Sequence, residues 1–254
     1  MQPAQVLNSD YRSPQLNELI THAVKSINNA EYSNDPFPHI FFNNFFPDDF
    51  YFKLINNLPQ AKFNALNADQ TRYAQRIYGD HIEDIDPSER ELWQLVSALL
   101  MSHELETATR NLLEEGMVIR AKGDNVADHR KVPMFAKPVI YSDMDGYEIK
   151  PHPDTRKKVV TMQLYCPIDE SQKELGTTLY QASLKGLLNY KSYFLNPVKK
   201  MPFLPNVGYA FVVLKHYHTI SKISWHGRPK IAVTGNRPRV SILNTFYSDE
   251  SGGY

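Results

Sequence analysis

His152 and Asp154, two residues apart in Pro151-His-Pro-Asp-Thr-Arg-Lys-Lys158, are the side chains whose types and spacing best suit chemistry. In an extended segment residues i and i+2 point to the same side, so an imidazole and a carboxylate at this spacing can reach one metal ion. Far downstream, Ser224-Trp-His-Gly-Arg-Pro229 brings a second histidine, His226, and Arg239 opens Arg-Val-Ser-Ile-Leu243. Two imidazoles and one carboxylate cover one face of an octahedral iron(II) and leave three positions open. His152, Asp154 and His226 would then be both the metal ligands and the catalytic set.

The thirteen residues from His226 to Arg239 allow a strand to end, turn at Gly235-Asn236 and return beside itself. On the return strand Arg239, Ser241 and Leu243 share one face, and Val240 and Ile242 the other. An arginine on the inward face is costly unless it meets an anion, and its fork suits a carboxylate. A metal with open positions beside a buried carboxylate anchor suits a small dicarboxylate or keto acid.

Each of these residues also has a plainer explanation. Pro-His-Pro-Asp is good turn chemistry, and His226 could be a surface histidine at the Gly227 turn. His216 and His218 alternate on one strand face and form a rival pair, but they lie too far from Arg239 for the return strand inferred here. Arg237 competes with Arg239; Pro238 and Gly235-Asn236 put it in the turn.

The ordered set His-x-Asp, distal His, then Arg-x-Ser resembles the 2-oxoglutarate/iron(II)-dependent oxygenases, particularly their prolyl-4-hydroxylase-like branch. Three further segments are similar to that family: Asp35 to Pro59, the run from Tyr141 to His152, and the strand from Val159, which here ends Tyr165-Cys166-Pro167. The resemblance spans roughly 35–247, with a stretch near 60–130 that matches no family segment. It implies iron(II), 2-oxoglutarate as cosubstrate and O2, with ascorbate as a stimulant. Arg239 would pair with the distal carboxylate of 2-oxoglutarate, helped by Tyr141 and Gln163. The products would be succinate, CO2 and a hydroxylated C–H bond, because the carboxylate at 154 is retained where related halogenases carry a small residue. The expected substrate is a small polar molecule. A peptide or protein hydroxylase, or a non-enzymatic cupin-like binding module, is the alternative.

Composition sets the frame. The 254 residues carry 28 basic and 28 acidic side chains, so the strong positive field of a dedicated nucleic-acid binder is missing, and no nucleic-acid partner is expected. Hydrophobic residues at 42%, with 13 Phe and 15 Tyr, are ample for one core. A single cysteine, Cys166, excludes an intramolecular disulfide and fits a reducing cytoplasm. Neither a membrane-spanning run nor a signal peptide is expected.

The elements that must position the site divide in two. Residues 1–116 read as a largely helical support. A helix after Ser13-Pro14 carries Leu16, Leu19, Ile20, Ala23, Val24 and Ile27 at helical spacing. A short strand at Ile40–Phe42 leads to a helix capped by Asp48. Another opens at Pro87-Ser88, breaks near Ser102-His103 and stops before Gly116. Residues 117–247 read as β-rich, with strands at 132–141, 159–166, 177–181, 208–214, 220–225 and 239–247, and 248–254 is a tail. This order implies an α+β, mainly β, single domain, a double-stranded β-helix of the jelly-roll kind buttressed by helices. Two segments are candidate substrate walls: 117–141, with Arg120, Lys122, His129, Arg130 and Lys131, and the insertion 181–205, with Tyr190. Tyr147 is a further substrate candidate.

Overall fold

The computed structural model describes residues 12–58, 64–183, 195–232 and 237–252, and within them the apolar periodicities become packed elements. Helix α1 (Pro14–Asn28) starts where the Ser13 hydroxyl accepts from the Leu16 N–H, and it buries Leu16, Leu19, Ile20, Ala23 and Ile27. Helix α2 (Asp48–Asn56) follows Pro47 and has no side-chain cap, so Asp48 is its first residue and its carboxylate faces the helix dipole instead. Helix α3 (Pro87–Leu100) is capped by Asp86, and α4 (His103–Leu112) by Ser102 after a two-residue break at Met101-Ser102. Helix α5 (Glu114–Gly123) runs on almost directly from α4.

The strands are β1 (Glu31–Ser33), β2 (His39–Asn43), β3 (Asn64–Ala65), β4 (Arg72–Arg76), β5 (Phe135–Asp143), β6 (Ile149–His152), β7 (Lys158–Tyr165), β8 (Thr177–Ala182), β9 (Leu195–Met201), β10 (Val207–Val212), β11 (His226–Arg228) and β12 (Arg239–Tyr247). Among the described residues they form two antiparallel sheets. The larger has the order β1-β2-β10-β7-β12-β5-β4-β3 and the smaller β6-β11-β8-β9. Alternation gives the larger sheet two different faces. Its outer face sends Val160, Met162, Leu164, Ala210 and Ile242 into a core shared with the helices. Its inner face sends Tyr165, Tyr209 and Phe211 against Leu179 and Met201 of the smaller sheet. The sheets therefore pack face to face with polar groups at one end of the space between them.

Several expectations change. The first 116 residues are not only helical support, because β1 to β4 complete the larger sheet. Gly116 does not stop a helix; it lies inside α5, where a Cβ would come within 2.7 Å of the Val212 side chain, so it permits α5 to approach β10 closely. Residues 117–123 are consequently helical. Residues 220–225 are not a strand despite their alternation. Ile220 is 72% exposed, and the segment touches the end of β10 through Ser224, whose N–H donates to the Leu214 carbonyl and whose hydroxyl accepts from the Leu214 N–H. Within the inferred insertion 181–205, residues 195–201 are strand β9, paired with β8. Its tip and the Gly235-Asn236 turn lie outside the described residues. No helix among the described residues is long and apolar enough to cross a membrane.

Ile242 sits fully buried at the centre of β12 between β5 and β7. Ile242→Ala should lower the free energy of unfolding in urea by about 2–5 kcal/mol, whereas Ile220→Ala should change it by less than about 0.5 kcal/mol.

Candidate metal and anion site

One cavity of about 350 Å³ opens between the sheets. His152 ends β6, Asp154 follows it, and His226 begins β11, directly opposite His152 in the antiparallel ladder. The two imidazole rings lie 4.6 Å apart, and one ligand atom from each of the three side chains lies within 4.8 Å of the others. Gly227 makes the approach possible, since a Cβ there would stand 2.8 Å from the Ile149 carbonyl oxygen and 3.0 Å from Pro151.

The hydrogen bonds around these residues set their donor atoms. His152 Nδ1 lies 2.9 Å from the Lys150 carbonyl, and His226 Nδ1 lies 3.0 Å from that of Ser224. A carbonyl can only accept, so both rings carry their proton on Nδ1 and present the Nε2 lone pair inward. Burial, only partly offset by Asp154, pulls the His226 pKa down to about 4, so its ring is neutral and ready to ligate at neutral pH. Asp154 accepts from the Lys158 ammonium at 2.6 Å on Oδ1 and from the Thr161 hydroxyl at 2.7 Å on Oδ2. Burial would raise its pKa, but Lys158 and then His226 hold it well below the usual carboxylate range. Two imidazoles and one ionised carboxylate, each oriented by a second partner, fit an iron(II) ion.

Deeper between the sheets lies a second charged group of residues. Asp143, fully buried at the end of β5, is opposite Arg239 of β12 on one side and Arg72 of β4 on the other. Arg228 reaches it from the smaller sheet, with Nη2 2.8 Å from Oδ2. Arg239 donates from Nη1 to Oδ2 at 3.4 Å and to the Ser241 hydroxyl at 3.2 Å, and from Nε to the Leu175 carbonyl at 2.7 Å. Its Nη2 is buried with no hydrogen-bond partner among the described residues. Phe203 and Tyr165 flank the guanidinium, their ring centres 4.5 and 5.1 Å away. Burial, and then Arg228, pull the Arg239 pKa down to about 10, which leaves it charged at neutral pH. Three guanidinium ions thus share one carboxylate, and a buried surplus of positive charge calls for an anion.

The remaining expected residues divide clearly. Gln163 lies on the cavity wall, where its amide donates to Ser241 and accepts from the Tyr209 hydroxyl at 2.7 Å. Tyr141 and Tyr147 also line the cavity. Burial raises the pKa of Tyr141 and, further, that of Tyr209, so both keep their protons as donors. Arg120 and Arg130, expected on a substrate wall, are elsewhere. Arg120 is buried outside the cavity, donating to the carbonyls of Lys158, Val213 and Arg156 and pairing with Asp124. Arg130 is exposed and paired with Asp128. Tyr190 lies outside the described residues. Arg237 is also exposed, pairing with Asp169, and His218 is turned away toward Asp124.

Four residues of the site escape the sequence reading: Arg228, Arg72, Asp143 and Tyr209. Arg228 had a signal, because position 228 shares its strand face with His226.

No family model matches the sequence, and no curated protein does. Solved structures do match. An oxidoreductase of the 2OG-Fe(II) oxygenase family from Burkholderia pseudomallei aligns at a TM-score of 0.50 and 7% identity, over 94% of this chain and 92% of that one. A prolyl-4-hydroxylase from Pseudomonas putida aligns at 0.48 and 14%, over 90% and 98%. HygX from Streptomyces hygroscopicus, solved with nickel and 2-oxoglutarate, aligns at 0.49 and 8%, over 93% and 87%. The first of these likenesses, extending over nearly all of both chains, establishes the fold as a double-stranded β-helix.

His152→Ala, Asp154→Ala and His226→Ala should each abolish tight iron(II) binding in anaerobic titrations, while His216→Ala and His218→Gln should bind as the parent does. Gly227→Ala should weaken iron binding without touching a ligand, because the new methyl pushes β6 and its His152 away from β11. Unchanged affinity in Gly227→Ala would show that the close approach of these strands is not what sets the metal geometry.

Proposed function

We propose that the chain is an iron(II)- and 2-oxoglutarate-dependent dioxygenase that hydroxylates an unactivated C–H bond of a small polar molecule, with release of succinate and CO2. The observation that carries this reading is the pairing, in one inter-sheet space, of a His-Asp-His donor set with a buried guanidinium group in surplus over its carboxylate. The donor set takes a metal and leaves coordination positions open. The guanidinium takes the far end of a dicarboxylate.

The chain's own residues have distinct tasks in this reading. Iron(II) held by His152, Asp154 and His226 would supply the activation of O2. Arg239 offers Nη2 to the distal carboxylate of 2-oxoglutarate, and its contacts with Leu175, Ser241 and Asp143 fix the fork before the cosubstrate arrives. Thr177 of the smaller sheet and Tyr209 of the larger both line the cavity and orient Gln163 by hydrogen bonds to its carbonyl oxygen. Lys158 occupies one oxygen of Asp154, which favours one-oxygen ligation and keeps an open metal position from being closed by the second. Aromatic rings around the guanidinium exclude water and strengthen its attraction for an anion.

A small substrate is favoured by the size of the cavity, about 350 Å³, which must also take the cosubstrate. The direct test is anaerobic addition of iron(II) and then 2-oxoglutarate, watching for the visible metal-to-ligand charge-transfer band, followed by a screen of candidate molecules for stimulated succinate release. Absence of both band and succinate would sink the reading. Robust hydroxylation of a peptide, with no small molecule stimulating turnover, would replace its substrate half.

Arg239→Gln should raise the Kd for 2-oxoglutarate by more than about tenfold, since a charge-assisted carboxylate contact contributes about 1.5–3 kcal/mol, and it should leave iron affinity nearly intact. Arg237→Gln should change neither. Equal losses in the two variants, read by titrating 2-oxoglutarate into iron-loaded protein, would remove Arg239 as the anchor.

A further inference from the structure

The charges along the cavity do not balance once the cosubstrate is accounted for. Among the described lining residues Asp154 is the one carboxylate, and it is matched by Lys158. Behind the wall Asp143 is shared by Arg72, Arg228 and Arg239. If Arg239 meets the distal carboxylate of 2-oxoglutarate, as proposed above, one guanidinium charge of this cluster still lacks an anion among the described residues.

Geometry identifies which one. Arg228 holds Asp143 with a well-formed 2.8 Å hydrogen bond. Arg72 has an ionic contact with Asp143, Nε to Oδ1 at 3.4 Å, and among the described residues that Nε makes no hydrogen bond. Its Nη1 donates to the Tyr147 hydroxyl, a neutral acceptor whose own proton is thereby free to be given to another group. The guanidinium is held flat, 3.9 Å from the centre of the Tyr141 ring and 4.9 Å from that of Tyr147. The backbone that carries it is fixed as well, because the Asn67 side chain accepts from the N–H groups of Thr71 and Arg72. An arginine fixed on both sides, with a hydroxyl donor alongside and a charge deficit behind it, is a preorganised receptor for a carboxylate.

We propose that the substrate is a small organic acid whose carboxylate is bound by Arg72 and the Tyr147 hydroxyl, in the part of the cavity lined by Leu66, Tyr141 and Ile149. This rests on the oxygenase reading for the assignment of Arg239 to the cosubstrate. Leu66 and Ile149 offer an apolar wall to the acid's carbon skeleton. Arg72 is thus a specificity-determining residue: it discriminates an acid from its neutral amide.

The test uses full-length protein loaded with zinc, which does not turn over, and saturated with 2-oxoglutarate. Acetate, butyrate and benzoate are titrated against acetamide, butyramide and benzamide, with binding read by saturation-transfer NMR and thermal shift. At least one acid should bind, and bind at least tenfold more tightly than its amide. Arg72→Gln should erase that preference, Tyr147→Phe should reduce it severalfold, and Arg72→Lys should restore part of it. The Kd for 2-oxoglutarate should stay within about twofold in all three variants, which also shows that they are folded. If no acid binds the loaded parent protein, or if acids and amides bind alike, or if Arg72→Gln keeps the preference, the proposal is wrong. It is equally wrong if Arg72→Gln weakens 2-oxoglutarate more than Arg239→Gln does, for Arg72 is then the cosubstrate's anchor. Failure of the zinc-loaded parent to bind 2-oxoglutarate at all overturns the oxygenase reading itself, and the acid assignment with it.

Discussion

Asp143 is the group on which the rest of the site depends. It is fully buried, yet it meets guanidinium groups from both sheets: Arg72 and Arg239 from strands beside its own, and Arg228 from the strand that also carries His226. A buried carboxylate is costly alone, and so is a buried arginine, so each holds the other in place. Because Arg228 lies two residues beyond His226, its contact with Asp143 also fixes how far β11 can slide or tilt over the larger sheet. The strand that carries the candidate ligand His226 and the strand that carries Arg239 are therefore joined through one ion cluster.

The outer face of the larger sheet explains how that cluster can be tolerated. Helices α1, α3, α4 and α5 cover the sheet with a continuous apolar core, which includes Trp93, Leu99, Met117 and Ile242. The stability of the domain comes from that layer. The inner face is then free to carry polar residues such as Gln163 and Ser241, which join Thr177 of the smaller sheet in a connected network, with the second apolar cluster around Phe203 and Phe211 closing the space beside it. The apolar layer sustains the fold while the polar one sits where ligands would bind.

How much of this could be read from the sequence depends on the range of each interaction. The pairing of His152 with Asp154 and the facing of Arg239 and Ser241 follow from local spacing and strand period, while His226 was reached through the ordered motif set and the resemblance it carries; the structure brings all of them to one inter-sheet space. Arg228 was within reach of the same period-two argument. Arg72 and Asp143 were not, because their importance comes from register between β4, β5 and β12, which are separated by long stretches of sequence. Helix α5 was cut short because Gly116 looks like a stop, while its role is to allow contact with Val212. Residues 220–225 alternate like a strand but have no ladder partner, and alternation without a partner is only a pattern. The cationic run at 120–131 misled for a similar reason: Arg120 ties backbone carbonyls together and Arg130 faces solvent.

The two charge systems in the cavity also differ in what they leave for a ligand to do. Lys158 and Asp154 form a closed pair, so a metal arriving at Asp154 meets a carboxylate already oriented and held ionised. Around Asp143 the balance is unequal: among the described residues each of the three guanidinium groups keeps at least one buried nitrogen without a hydrogen bond. Unmet buried donors are costly, so an anion that met one of them would recover that cost as affinity. The first system thus prepares a site whose charge is set, and the second prepares one that is complete only when anions are bound. On the proposal made above, such a cavity would take acids in preference to neutral molecules of the same shape, because a neutral ligand would leave the surplus charge where it was.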